Sequence, residues 1–139
     1  MPEISTASNG TTTYTVVGIA GEAIYVYSAA TLTIPSTVTS IGNDAFWYAP
    51  ELKAVYVDDE NPNYADDNGD LYNKDFTTLL KYAPKDGETT VTFKATVTKI
   101  GAYAFYNNTG LKSVEIPQGI VEIGDYAFSN CKNLQEIYG

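Results

Sequence analysis

The side chains best suited to chemistry are six carboxylates within one polar stretch of the chain. They are Asp58, Asp59, Glu60, Asp66, Asp67 and Asp70. Two carboxylates at a suitable separation can act as the acid and the base of a glycosidase. One of the pair then needs an apolar surrounding that raises its pKa, and no apolar pocket is visible around this stretch. The sequence therefore favours a solvated acidic loop, Asp58 to Asn68, over a carboxylate-based glycan-active site.

The spacing Asp66-x-Asn68-x-Asp70 matches the first three ligand positions of a calcium-binding loop. The glycine of such a loop would be displaced, because Gly69 lies between the second and third ligand positions. The position of the closing bidentate Glu holds Thr77. The pattern favours a solvated turn, with weak calcium binding left as the alternative.

The chain contains no His and a single Cys. The lack of His removes the commonest general base and metal ligand, and one Cys excludes an internal disulfide and a Cys-based zinc site. Cys131 shares its position in a repeat, described below, with Ala49 and Asn108, which favours a packing residue over a reactive thiol. We therefore predict no catalytic residue, no metal ligand and no cofactor, in a protein that is not an enzyme.

The charge of the chain is strongly acidic, with 8 basic and 17 acidic residues and a formal net charge of −9. Nucleic-acid binding needs clustered Lys and Arg, and an anionic membrane surface repels such a chain. No segment reaches the roughly 18 consecutive apolar residues of a membrane span. Residues 1–10 lack the basic and apolar regions of a signal peptide. We therefore expect no nucleic-acid partner and no membrane insertion, and we expect the chain to be an excised domain.

The apolar residues are of the types that favour strands. Hydrophobic residues make up 44% of the chain, which includes 12 Tyr and 5 Phe. Tyr, Val, Ile and Thr suit a pleated, half-buried surface, so a strand-rich globular fold is predicted.

One short motif occurs three times along the chain. It reads Ile-Gly-x-x-Ala-Phe and begins at Ile41, Ile100 and Ile123. From the third repeat to the last, seven apolar positions recur every 23 residues, from Phe93 to Ile116 and onwards. One such unit cannot bury its apolar face alone, whereas stacked copies can. The repeat therefore predicts a solenoid.

The repeat also divides the chain. Residues 1–12 are expected to be a disordered terminus, and residues 13–139 a single domain. Within the domain we predict a cap or degenerate repeat at 13–33, because terminal repeats are atypical. Regular repeats follow at 34–56, 93–115 and 116–139, with an irregular one at 57–92.

The irregular repeat carries an insertion, because Ile41 and Ile100 lie 59 residues apart, which is two periods and 13 further residues. A β-hairpin is predicted from 70–72 and 77–82, joined through 73–76. The strand that ends a repeat is expected to survive at 90–92, while the Ala-Phe segment is expected to be lost.

Within a regular repeat, the alternation of Val114 and Ile116 with polar neighbours predicts a strand that ends at Pro117. The Gly of Ile-Gly is predicted to let the backbone turn. The segment that follows, such as 125–130, is too short for a stable isolated helix and is predicted to form one helical or 3₁₀ turn.

The full motif reads Ile-Pro-x-x-Ile-x-x-Ile-Gly-x-x-Ala-Phe-x-x-Cys-x-x-Leu-x-x-Ile, and the last repeat carries it from Ile116 to Ile137. This pattern resembles the BspA-like, or Treponema pallidum-type, leucine-rich repeat. The segments 61–64 and 69–74 resemble an irregular repeat that is common in that family. The resemblance implies a leucine-rich-repeat right-handed superhelix, classed as an α/β repeat solenoid with one inserted β-hairpin. It also implies a secreted bacterial cell-surface protein that acts in adhesion without catalytic residues.

Six side chains that are expected to be exposed form the candidate ligand-binding surface: Tyr56, Glu115, Tyr138, Trp47, Tyr48 and Tyr106. Tyr56, Glu115 and Tyr138 share the outward-pointing position of successive repeat strands, in one row on an expected continuous sheet. Trp47, Tyr48 and Tyr106 follow the buried Phe on the turn-rich side. Tyr and Trp offer large contact areas at low entropic cost. Tyr103 and Tyr126 share a repeat position and are expected only to cover neighbouring repeats.

The expected partner is a protein, such as a host matrix protein or another cell-surface protein. The alternatives are a carbohydrate-binding or glycan-active domain and a structural spacer within a larger surface protein. The end of the sequence, 137–139, falls on a repeat strand without a polar cap, which predicts a longer parent protein or self-association through that end.

Overall fold

The computed structural model describes the backbone of residues 4–7 and 13–16, and residues 30–42 and 52–139 in full. These residues form eleven short strands and no helix. The strands are β1 (Ile4–Ala7), β2 (Thr13–Val16), β3 (Thr31–Ile34), β4 (Ala54–Val57), β5 (Tyr64–Asp67), β6 (Asp70–Asn73), β7 (Thr78–Lys81), β8 (Lys99–Ile100), β9 (Ser113–Glu115), β10 (Glu122–Ile123) and β11 (Glu136–Tyr138). Their Val, Ile, Leu, Thr and Tyr content suits strand conformation.

The first sheet has the order β1-β2-β3-β4. Strands β2, β3 and β4 are parallel, and their register places Tyr14, Leu32 and Val55 side by side. Strand β1 pairs antiparallel to β2. The prediction of a disordered terminus at 1–12 is therefore wrong for Ile4–Ala7, where backbone pairing to β2 supplies the order that its few apolar side chains do not predict.

The second sheet has the order β10-β8-β7-β6-β5 and contains the insertion. Strands β5, β6 and β7 form an antiparallel meander, which then joins the parallel strands β8 and β10. The prediction that 58–68 is all loop is wrong for Tyr64–Asp67. Asn68 and Gly69, with φ of 54° and 82°, form the two-residue connection to β6, and this left-handed pair is typical of tight hairpins.

The third sheet contains only β9 and β11, paired in parallel. The strand expected at 90–92 does not form. The carbonyl of Thr89 instead accepts the amides of Lys112 and Ser113, at 2.8 and 3.3 Å. At this edge the two repeats are thus joined through one carbonyl, without a strand ladder.

An aromatic column runs through the core of the second half of the chain. Tyr82 stacks on Phe105 with ring centroids 4.8 Å apart, and Phe105 stacks on Phe128 at 4.9 Å. The expected loss of the Ala-Phe segment from the irregular repeat is therefore wrong. Lys81-Tyr82 takes the place of Ala104-Phe105, and the step from Tyr82 to Phe105 is again 23 residues.

The segments after Ile100-Gly101 and Ile123-Gly124 form a series of short hydrogen-bonded turns and not the predicted helical or 3₁₀ turn. In 101–108 the amides of Tyr103, Phe105 and Asn107 donate to carbonyls of the next repeat, at 3.1, 2.7 and 3.0 Å. Tyr103 and Asn107 also have φ of 59° and 63°, which breaks any helical run. These bonds to the neighbouring repeat alternate with bonds along the chain, in which the amides of Ala104, Tyr106 and Asn108 donate to the carbonyls of Gly101, Tyr103 and Phe105, at 3.2, 3.1 and 3.1 Å.

Gly124 allows two repeats to pack closely, beyond its place at the start of a turn. A Cβ added at Gly124 would lie 2.5 Å from the backbone nitrogen of Ala102 in the preceding repeat. The backbone of Gly124 is not left-handed, since positive φ falls at Tyr126 instead. The chain does turn after Gly124, whose carbonyl accepts the amide of Ala127 at 3.3 Å, but this turn does not use a left-handed glycine backbone, and the lack of a side chain is what the stack requires.

Candidate functional site

Two of the predicted binding residues lie side by side on an exposed strand face. Glu115 in β9 is the register partner of Tyr138 in β11. Val114, the residue before Glu115, is fully buried, so the alternation of the strand turns Glu115 outwards. Tyr138 is 48% exposed. Glu115 and Tyr138, named here the strand-face pair, therefore combine a charge with a large aromatic surface.

Tyr56 belongs to a different surface. It lies in β4 as the register partner of Thr33, and 49% of it is exposed. The predicted continuous row with Tyr138 is wrong, because β4 and β11 are in different sheets. The insertion causes the break: the carbonyl of Gly69 accepts the amide of Val55 at 2.8 Å and so occupies the free edge of β4.

A group of tyrosines lies on the turn side. The ring of Tyr106 meets that of Tyr103 edge-on, with centroids 5.5 Å apart, and Tyr103 stacks on Tyr126 at 5.2 Å. The expectation that Tyr103 and Tyr126 cover neighbouring repeats is confirmed by this stack, although Tyr126 remains 62% exposed. Trp47 and Tyr48 lie outside the described residues.

A polar cleft that the sequence analysis missed opens beside the irregular repeat. Its walls are the segments 84–89 and 107–110, with Leu52 and Lys53 at one end, and it encloses about 370 Å³. The 23-residue step from Tyr82 to Phe105 and Phe128 was the signal that could have found it. The same step aligns Lys85 with Asn108 and Cys131, so the cleft lies between two equivalent segments of successive repeats.

A network of charged and aromatic side chains supports the cleft. Buried Asp70 accepts the amide of Ala83 at 2.9 Å and the ammonium group of Lys85 at 2.6 Å. The Lys85 Nζ also lies 4.0 Å from the centroid of the Tyr82 ring. The Tyr82 hydroxyl donates to Glu88 Oε1. These contacts fix Lys85 and Glu88 at the wall of the cleft.

Burial changes the acidity of this network. Loss of solvation raises the pKa of Asp70, against the opposing effect of its hydrogen bond from Lys85. The pKa of Glu88 is raised in the same way, first by burial and then by the charge of Asp70. Desolvation favours the neutral form of a carboxyl group, and here the Lys85 contact limits that effect on Asp70.

The carboxylates of 58–70 do not converge on one point. Asp58 Oδ1 accepts the amide of Glu60 at 2.9 Å, and Asp66 Oδ2 accepts the amide of Val57 at 2.5 Å. Asp67 pairs with Lys94 at 2.7 Å, while Asp70 faces Lys85. The proposed calcium ligands Asp66 and Asp70 are thus committed to separate hydrogen bonds. Among the described residues, no three His, Cys, Asp or Glu side chains are grouped so as to hold a metal ion.

Cys131 is a half-buried packing residue. Its Sγ donates to the carbonyl of Phe105 in the preceding repeat, 3.1 Å away. Burial raises the pKa of its thiol, which disfavours the reactive thiolate. The prediction that Cys131 is part of the repeat packing agrees with this contact.

The repeat geometry has a direct counterpart among known families. The model of the BspA type leucine rich repeat region matches residues 5–68 and 85–138, in six copies. The chain belongs to this family. The gap between the two matched regions, 69–84, contains β6 and β7 of the insertion. Leucine-rich-repeat families are generally non-catalytic, and the described part of the chain contains no helix that could span a membrane.

Solved structures of bacterial repeat proteins resemble this BspA-type chain. The pneumococcal vaccine antigen PcpA is 29% identical, with a TM-score of 0.74 over 81% of this chain and 28% of its own. A leucine-rich repeat protein from Eubacterium ventriosum is 27% identical, with a TM-score of 0.67 over 80% of this chain and 36% of its own. A leucine rich cell surface protein from Faecalibacterium prausnitzii is 25% identical, with a TM-score of 0.67 over 90% of this chain and 41% of its own.

The chain therefore spans less than half the length of these solved relatives. A comparison with curated proteins finds no match. The relatives show the strand-rich leucine-rich-repeat fold. The right-handed twist of the superhelix stays a prediction.

Proposed function

We propose that this chain is a non-catalytic adhesion module of a bacterial cell-surface protein and that it binds a protein ligand. The family and the Faecalibacterium prausnitzii relative, which is described as a cell surface protein, support an extracellular location. The observation that carries the proposal is the strand-face pair, in which exposed Tyr138 lies directly beside Glu115. Tyrosine is enriched among the residues that dominate binding energy.

The net charge of the chain indicates what kind of partner surface would bind it. A net charge of −9 attracts basic surfaces and raises the rate at which they associate. Glu115 would then meet a Lys or Arg of the partner, while the Tyr138 ring covers the apolar part of that side chain. A host matrix protein or another cell-surface protein with a basic patch fits this description.

Binding to immobilised matrix proteins tests the proposal. The chain is passed over a panel of purified extracellular-matrix proteins, and affinity is measured by biolayer interferometry for the wild type and the double variant Glu115→Ala/Tyr138→Ala. Loss of both side chains is expected to weaken binding at least tenfold, or about 1.4 kcal/mol. Tyr126→Ala, which removes an exposed Tyr from another surface, is the matched control.

The remaining predicted residues are tested in the same assay. Tyr56→Ala and Tyr106→Ala are expected to have smaller effects, because neither side chain lies on the β9–β11 sheet. Unchanged affinity in the strand-face double variant overturns the site. Failure of every matrix protein to bind overturns the proposed class of ligand and favours a structural spacer.

Self-association is part of the proposal. Val121, Ile123 and Ile137 are exposed apolar residues in or beside β10 and β11, and both strands are at the edge of a sheet. Unpaired strand edges with apolar side chains promote edge-to-edge contact between copies. Light scattering at increasing concentration is expected to show a dimer, and a strict monomer contradicts this step.

A further inference from the structure

Asn108 is a buried residue whose side-chain amide has no hydrogen-bond partner among the described residues. Asn108 is only 3% exposed, and the described residues offer its side chain no hydrogen bond. The same residues contain no fully buried polar side-chain atom that lacks a partner. The Asn108 amide therefore reaches open space, and that space is the polar cleft that it lines. An amide left in this state offers both a donor and an acceptor to a ligand.

Comparison with the next repeat shows which hydrogen bond the Asn108 amide lacks. One repeat later, Cys131 satisfies its side chain by donating to the carbonyl of Phe105. Tyr82 takes the place of Phe105 in the column of stacked rings, but Asn108 makes no equivalent bond to it within the described structure. The bond that links Cys131 to the preceding repeat thus has no counterpart at Asn108, and the cleft lies at that place.

The charges around the cleft favour a neutral ligand, because both signs of charge are present and paired. Lys53 pairs with Asp86 at 3.6 Å, and Lys85 pairs with Asp70 at 2.6 Å. An anion would meet lysines that are already paired with carboxylates, and a cation would meet the same two lysines beside carboxylates that already have partners. Glu88, whose pKa is raised by burial, already accepts the Tyr82 hydroxyl. A neutral ligand that both donates and accepts hydrogen bonds fits best.

We propose that the polar cleft binds one ring of a neutral saccharide, with its hydroxyl groups bonded to the Asn108 amide and the Glu88 carboxylate. A volume of about 370 Å³ is within the range of small-molecule sites, roughly 300–1,000 Å³. Sugar hydroxyls donate and accept, as the amide requires. This site is separate from the strand-face pair, so the chain would carry a glycan site in addition to its protein-binding surface.

Nuclear magnetic resonance of the complete ¹⁵N-labelled chain tests the site directly. The probes are glucose, galactose, mannose and N-acetylglucosamine, with glucuronic acid and glucosamine as charged counterparts. At least one neutral sugar is expected to shift the Asn108 side-chain NH₂ signals saturably, with a Kd on the order of 1 mM. The charged counterparts are expected to bind at least tenfold more weakly. Absence of any saturable shift by the neutral sugars overturns the proposal, as does a preference for a charged sugar.

Asn108→Cys is the decisive variant, because Cys occupies the equivalent position 131 and fits the repeat. It is expected to lose at least tenfold in sugar affinity with little change in melting temperature. Gln135→Ala, which removes an exposed amide elsewhere, is expected to bind as the wild type does. If Asn108→Cys does not fold, Glu88→Gln is measured instead and is expected to weaken binding several-fold, because it removes a charge-assisted hydrogen bond. Wild-type affinity in the folded variant overturns the site without affecting the strand-face proposal.

Discussion

Tyr82 stacks on Phe105 at 4.8 Å between ring centroids, although the two residues come from an irregular and a regular repeat. The contact shows that the insertion ends by returning the chain to the 23-residue period. Phe128 extends the same column by one more ring, at 4.9 Å. Stacked rings exclude water and contribute beyond their buried area, by about 0.5–1.5 kcal/mol for each pair. The column therefore joins the irregular repeat to the two regular repeats that follow it.

Phe105→Ala is expected to destabilise the chain by about 3–5 kcal/mol, because Phe105 is fully buried and stacks on two rings. The free energy of unfolding is measured by urea denaturation followed by circular dichroism. Tyr126→Ala, which removes a largely exposed ring, is the control and is expected to cost much less. A loss below about 1 kcal/mol for Phe105→Ala contradicts a structural role for the column.

Lys81 lowers the stability of the folded chain, whereas the aromatic column raises it. It is a buried lysine without an ion pair among the described residues. It stands in the place of the small Ala104, and burial lowers its pKa to about 8. The unfolded chain, with a Lys pKa near 10.5, keeps the proton over a pH range in which the folded chain has lost it. Unfolding then takes up a proton, so the free energy of unfolding rises as the pH increases from about 8 towards 10.5.

Lys81→Met is therefore expected to stabilise the chain at pH 7 by about 1–3 kcal/mol, because it removes the cost of burying an ammonium group. The gain over the wild type is expected to shrink between pH 7 and 9. Urea denaturation at several pH values measures both effects, with the exposed Lys112→Met as the control. A gain that is constant with pH would show that packing, and not the charge, causes it.

The sequence predicted the repeat more fully than the site, for a physical reason. Ile100, Phe105 and their copies recur because each must stack on the same residue of the next repeat, so the period is visible in the sequence. The Asn108 amide has no such signal, since its state depends on a hydrogen-bond partner that another segment fails to supply. The same limit applies to Tyr56, because its strand β4 meets the Asn68-Gly69 turn, through the amide of Val55, and not the next repeat strand.

The side chain of Asn61 makes four hydrogen bonds, two to the first repeat and two to the residues that follow it. Its Nδ2 donates to the carbonyls of Pro35 and Val38, and its Oδ1 accepts the amides of Asn63 and Tyr64, all at 2.9 Å. Asn61→Ala leaves these backbone groups without partners in a buried place, so it is expected to cost about 2–4 kcal/mol. Thermal unfolding compares it with Asn63→Ala, an exposed neighbour. Equal melting temperatures for the two variants contradict the role of Asn61.

Gly124 sets how closely two repeats approach. A Cβ at this position would lie 2.5 Å from the nitrogen of Ala102, a backbone atom that cannot rotate away. Gly124→Ala is therefore expected to force the two repeats apart and to destabilise the chain by roughly 2 kcal/mol or more. Gly119→Ala is the matched control, because its Cβ would meet the carbonyl of Val97 at an ordinary 3.9 Å. Denaturation of both variants separates this steric effect from the general effect of replacing Gly by Ala. If the glycine served only to turn the backbone, Gly124 would tolerate Ala as Gly119 does, since neither has a left-handed φ.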